Sequence, residues 1–140
     1  VMDALGQNTD ITHFAYFEGD CEFVEGWKEK LALALEDIPA DFDILYAGSC
    51  CCNGKQGELV SKRSGLHHYP NRGGENFWHY YPLCTHFYIA SARAVTHLIA
   101  TQRDCSSPTD ISITRWSLGQ LNTYAILPRL AGQFNTNIPL

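Results

Sequence analysis

The sequence predicts an α/β domain, a mixed sheet with flanking helices, and three observations carry that prediction. Apolar runs of strand length alternate along the chain with stretches of helical period, the pattern of a sheet covered by helices. At 140 residues the chain has the length of one domain with one hydrophobic core, which excludes a two-domain enzyme within it. Apolar residues make up 45% and charged residues 18%, with seven Phe, seven Tyr and three Trp, so the chain can bury enough surface to fold.

Ile11 to Phe17 combine β-branched and aromatic residues and run into Glu18-Gly19-Asp20, which predicts a strand ending in an acidic turn. Val24, Trp27, Leu31, Ala34 or Leu35, and Ile38 then recur at helical spacing with charged residues on the other faces, and Pro39 closes the segment. Phe42 to Ala47 is a short buried strand ending at Gly48. From Ser49 to Tyr81 the periodicity disappears among glycines and Pro70, which predicts a long loop holding at most a small hairpin. Such a loop in a compact domain is a candidate for substrate contact, and His67-His68 on it reads as solvated surface. Regularity returns with a strand over Thr85 to Ala90 and a helix from Ala92 to about Arg103. Ser107-Pro108-Thr109-Asp110 has the grammar of a helix start, with Ser at N-cap, Pro at N1 and an acid at N3, and opens a short helix to about Leu118. Leu121 to Leu127 is the last strand, and Pro128 begins a coil tail holding Gln133.

Ten Lys and Arg against fifteen Asp and Glu leave a net charge of -5. A surface of that sign repels phosphate backbones, so nucleic acid is not an expected partner. No apolar run approaches the roughly 20 residues that span a bilayer, and Val1-Met2-Asp3-Ala4 has neither a basic nor an apolar leader region, so no membrane segment is expected in the chain. Six cysteines, at 21, 50, 51, 52, 84 and 105, fit an oxidising compartment, the secretory pathway or the cell exterior. Bonding two adjacent cysteines strains the peptide between them, so Cys50-Cys51-Cys52 should reach outward to other cysteines if oxidised. The histidines downstream have no paired-finger spacing, so disulfides or inert buried thiols are preferred to a structural zinc site.

In open α/β sheets the ligand site lies outside the carboxyl ends of the strands, where Glu18 and Asp20 fall. Two carboxylates one residue apart can reach one hard divalent cation, which would take further ligands from water and substrate phosphates; acids after strands also simply cap turns. Asp41-Phe42-Asp43 looks similar but precedes its strand, which puts it at the opposite edge of the sheet, as a turn feature.

The run Phe14-Ala15-Tyr16-Phe17-Glu18-Gly19-Asp20, followed by a helix and then Asp41-Phe42-Asp43-Ile44-Leu45-Tyr46-Ala47-Gly48, resembles the "strand, L-E-D-D, helix, D-x-D-I-L-Y-L-G" segment of family 25 glycosyltransferases. These are the bacterial lipooligosaccharide and the collagen galactosyltransferases. Cys84 to Ala94 is similar to the family's "G-T-x-x-Y-I-I-S-R-x-G-A" strand and helix, Pro108-Thr109-Asp110 to its "P-V-D" helix start, and Tyr124 to Pro128 with Gln133 to its "Y-x-x-x-P…Q" ending. The resemblance covers about residues 11 to 134.

It implies the C-terminal part of a glycosyltransferase-A type fold, in which the acidic motif holds Mn2+ against the diphosphate of a UDP-sugar. Glu18 and Asp20 take the outer positions of that motif, and Gly19 stands where the family has its middle Asp. His86 either completes the metal shell or is a satisfied histidine on a buried strand, the second being preferred. Asp110 is the acceptor-side candidate, as the base for the acceptor hydroxyl, and equally a helix cap; the two roles are compatible. Trp78, Tyr80 and Tyr81 either stack on a sugar face or fill the core under the loop, and Thr85 joins Trp78 and Tyr81 among the substrate-side candidates. Arg93 and Gln133 match family positions as packing or polar rim. Only about ten residues precede the first strand, where the family has several βα units forming the uridine pocket. The chain is therefore expected to lack that half and to be one piece of a longer chain or assembly. The expected function is transfer of a hexose, galactose by the family pattern, from a UDP-sugar to a glycan or glycoprotein acceptor. The alternatives are a catalytically silent glycan-binding or structural module of the same fold, and a disulfide- or zinc-stabilised domain without sugar chemistry.

Overall fold

The structure, a computed structural model, describes residues 10–50, 57–70, 81–102, 108–116 and 120–133. In chain order it runs β1 (His13–Phe17), β2 (Cys21–Phe23), α1 (Trp27–Asp37), β3 (Ile44–Cys50), β4 (Glu58–Ser61), β5 (Leu66–Tyr69), β6 (Leu83–Ser91), α2 (Ala92–Thr101), α3 (Thr109–Trp116), β7 (Thr123–Ile126) and β8 (Ala131–Gln133). Six strands form one sheet in the order β1-β6-β3-β7-β5-β4, and β2 pairs with β8 in a separate ribbon. The β3–β7 pair is parallel and the other pairs are antiparallel, so the sheet is mixed, as the sequence predicts.

β3 is central because its residues are apolar on both sides. Successive side chains of a strand point to opposite faces, so Ile44 and Tyr46 enter one core while Leu45 and Ala47 enter the other. The first core lies under α2 and α3, through Ala94, Val95, Leu98 and Ile113. The second lies under α1, through Ala34 with Phe42, Phe87 and Leu130. Full burial of each large side chain contributes roughly 1.5–3 kcal/mol, which β3, covered on both faces, gains at Ile44, Leu45 and Tyr46. α1 stops where Pro39 demands it: Ile38 is extended, with φ -73 and ψ 137, the conformation favoured before proline. α2 starts directly from β6, because the Ser91 hydroxyl accepts the Ala94 amide at 3.0 Å, a side-chain cap.

Two features differ from the sequence reading and one agrees with it: the small hairpin allowed within Ser49 to Tyr81 is β4 and β5, at the edge of the sheet opposite β1. Gly65 closes its turn at φ 68, and a Cβ there would fall 2.1 Å from the Leu127 carbonyl oxygen, so only glycine lets the hairpin abut β7. His67 is buried on β5, with Nδ1 3.0 Å from the Gly65 carbonyl oxygen, and His68 packs against the Tyr124 ring. These histidines are not solvated loop surface, because β5 is flanked by β4 and β7. The other difference is the tail after Pro128, which forms β8 and pairs with the unanticipated β2; three-residue strands leave no period to read. Among the described residues no helix is long and apolar enough to cross a membrane.

Candidate functional site

β1 and β3 both run antiparallel to β6, so their carboxyl ends meet the start of β6 at one end of the sheet. The disulfide Cys50–Cys84, with Cα atoms 5.5 Å apart, joins the end of β3 to β6 there. A cleft of about 300 Å³ opens beside it. Tyr16 and Glu18 reach it from β1 and its turn, Thr85 and His86 from β6, Asp110 from the first turn of α3, and Gln133 from β8.

Glu18 is the most constrained of these groups. Its amide donates to the His86 carbonyl oxygen at 3.0 Å, which carries the β1–β6 ladder one residue further. Its carboxylate accepts from Thr85 Oγ1 at 2.7 Å and from His86 Nδ1 at 2.7 Å, one donor on each oxygen. Burial alone would raise the carboxyl; the hydrogen bonds from His86 and Thr85 and the charge of His86 outweigh it, and the net effect holds Glu18 below its ordinary value. Glu18 is thus an ionised, fixed carboxylate at the cleft wall.

Asp20 follows on the same turn, closed by the Cys21 amide on the Glu18 carbonyl oxygen at 3.1 Å. It is exposed, and Gln133 Nε2 donates to its Oδ2 at 3.4 Å. Gly19 between the two acids faces open space, with nothing within 4 Å of a Cβ placed there. Among the described residues no three His, Cys, Asp or Glu side chains gather into a group able to hold a metal ion. The turn offers two hard oxygen donors.

The remaining sequence-derived candidates separate clearly. His86 is buried on β6, turns Nδ1 to Glu18 and also lines the cleft. Thr85 lines the cleft as the other donor to Glu18. Asp110 lines the cleft and also accepts the Ile111 amide on Oδ1 at 2.8 Å, so a first-turn amide and the cleft share its carboxylate. Tyr81 takes the core-filling alternative: it is 1% exposed, and its hydroxyl donates to the Pro70 carbonyl oxygen at 3.2 Å. No face of that ring is open to a sugar. Trp78 and Tyr80 lie outside the described residues, as do Cys51, Cys52 and Cys105.

Asp43 sits at the opposite end of β3 from the cleft and is 1% exposed. It accepts from the Arg93 guanidinium through two nitrogens, from Ser91 Oγ at 3.1 Å and from the Asn122 amide at 2.8 Å. Arg93 therefore ties α2 to β3. Cys21, half-buried on β2, is the free cysteine among the described residues; burial, then the charges of Glu18 and Asp20, pushes its thiol up, away from the thiolate form that a nucleophile needs.

Sequence reasoning missed Tyr16 as a cleft residue. The signal was present, since Tyr16 and Glu18 are two apart on a strand and share its face. No family model, curated protein or solved structure matches the chain at significance.

Proposed function

We propose that the cleft belongs to a glycosyltransferase module of the family 25 type, within a partial glycosyltransferase-A fold that transfers a hexose from a UDP-sugar to a glycan or glycoprotein acceptor. One observation carries this reading. The stretches that resemble the family are far apart in the chain, yet each supplies the same cleft: Glu18 from the first, Thr85 and His86 from the second, Asp110 from the third and Gln133 from the last.

Glu18 and Asp20 fit a hard divalent cation by donor chemistry, as carboxylates on one turn with Glu18 held ionised. They would hold Mn2+, whose charge would offset that of a diphosphate. Thr85 and His86 keep the Glu18 carboxylate in place. Asp110 faces the cleft as the group that accepts or orients the acceptor hydroxyl's proton. An oxidising compartment, the secretory pathway or the cell exterior, would make and keep the Cys50–Cys84 disulfide.

The silent glycan-binding alternative is favoured by one detail, that both Glu18 oxygens already have protein donors. Thermal shift decides between the two. With UDP and Mn2+ at a hundredfold excess over Kd, binding adds about 2.7 kcal/mol and raises Tm, and Glu18→Ala abolishes the rise. Gly19→Asp restores the missing carboxylate in open space and enlarges the response. No shift at millimolar UDP in either the native chain or Gly19→Asp leaves the silent module.

A further inference from the structure

We propose that Tyr16 is the platform of a monosaccharide subsite, binding a neutral pyranose ring by its apolar face without metal or nucleotide. The proposal rests on the glycan reading, in either its transferase or its silent form. Tyr16 stacks on Tyr88 with ring centroids 5.1 Å apart and planes 30° apart. Tyr88 in turn packs against the core under α2 and α3. One face of Tyr16 is thereby anchored, yet the residue remains 47% exposed and lines the cleft. A ring held from behind and open in front loses little conformational freedom when a ligand lies on it.

The rest of the lining narrows the ligand. It contains no Lys or Arg among the described residues, so a free phosphate or sulfate has no counter-charge. It offers Thr109, Asp110 and Gln133 in the same lining as Tyr16, hydrogen-bonding groups suited to a rim of hydroxyls. The carboxylates of Glu18 and Asp110 also attract cations, so an ammonium ion is the competing ligand that the test must exclude. At about 300 Å³ the cleft is at the small end of ligand pockets, which run from about 300 to 1,000 Å³, the scale of one sugar ring.

Saturation-transfer NMR with methyl β-D-galactopyranoside and methyl β-D-glucopyranoside, each at millimolar concentration with EDTA and no nucleotide, tests this. Saturation is expected on the ring C–H protons of at least one glycoside, with cross-peaks to the Tyr16 ring. Tyr16→Phe retains it, and Tyr16→Ala lowers affinity about tenfold. The proposal is overturned by an absence of saturation with both glycosides, by undiminished binding in Tyr16→Ala, or by Tyr16-dependent binding of tetramethylammonium in place of sugar. If Tyr16→Ala does not fold, the cross-peaks in the native chain decide alone. Sugar binding with no response to UDP and Mn2+ keeps the subsite and removes the transferase; a UDP response with no sugar signal does the reverse.

Discussion

Glu18, at the end of β1, accepts a hydrogen bond from Nδ1 of His86 on β6 at 2.7 Å, and this bond ties the acid of the cleft to the interior of the sheet. The partner decides the acid's titration. Glu18 is half-buried, and burial pushes its carboxyl up; His86 contributes both a hydrogen bond and a charge that pull it down.

His86→Ala therefore leaves burial opposed by Thr85 alone, and the Glu18 carboxyl moves upward. The loss of stability at neutral pH is about 1.5–3 kcal/mol, the range for a hydrogen bond to a charged group. Because the native carboxyl is depressed on folding, its contribution is present above the ordinary value of 4.5 and fades as pH falls through the folded value. Carboxyl-detected NMR titration reads the shift directly, and an unmoved Glu18 in His86→Ala would contradict this account.

Asp43 and Arg93 are expected to differ in cost although they form one ion pair. Asp43→Ala removes the acceptor of Arg93, Ser91 and the Asn122 amide together, which costs about 2–4 kcal/mol. Arg93→Ala costs less, because its side chain is 66% exposed and the buried carboxylate keeps Ser91 and Asn122. Urea denaturation of the two variants orders them; the opposite order would show that the guanidinium, and not the carboxylate, organises this corner.

The elements that could be read from the chain are those whose burial repeats over several turns or pleats. Ile44 to Ala47 announces a strand buried on both faces, and Glu18 and Asp110 follow from rules about strand ends and helix starts. What escaped depends on register between distant residues. β2 and β8 are three residues each and exist because Cys21 meets Gln133 across the chain. Arg93 reaches Asp43 because β6 lies beside β3 with Ala90 opposite Ile44, which no local pattern states. Tyr16 lies on β1 and Tyr81 just before β6, and composition cannot say which is core and which faces the cleft; the spacing of Tyr16 from Glu18 could have.

The Cys50–Cys84 bond bridges a sequence separation of 34, and chain entropy gives its removal a cost of about 3–4 kcal/mol. Cys84 is also left-handed, with φ 65, a conformation that strains a residue bearing a Cβ. Two reduced-state mimics separate these effects. Cys50→Ser with Cys84→Gly should be more stable than Cys50→Ser with Cys84→Ser by about 1 kcal/mol, since glycine adopts positive φ without penalty. Equal stability of the two would mean that the segment relaxes out of the left-handed region once the bond is gone.

Asp37, at the end of α1, clamps the β4–β5 hairpin by accepting from the Arg63 guanidinium, from Ser61 Oγ at 2.6 Å and from Ser64 Oγ at 2.7 Å. The Arg63 hydrogen bond, followed by those of the two serines, holds its carboxyl well below the ordinary value of 3.8. Glu36 also lies 3.2 Å from Arg63, but both side chains are more than half exposed, so that pair adds little. A carboxyl depressed on folding stabilises above its unfolded value and loses that contribution as pH falls through its folded value. Asp37→Asn should thus lower the urea midpoint at pH 7, and its deficit against the native chain should hold down to about pH 5. Below the ordinary value the deficit should shrink, because the native carboxylate loses its advantage as it protonates. A deficit that stayed constant into strong acid would assign the clamp to the shape of the side chain and not to its charge.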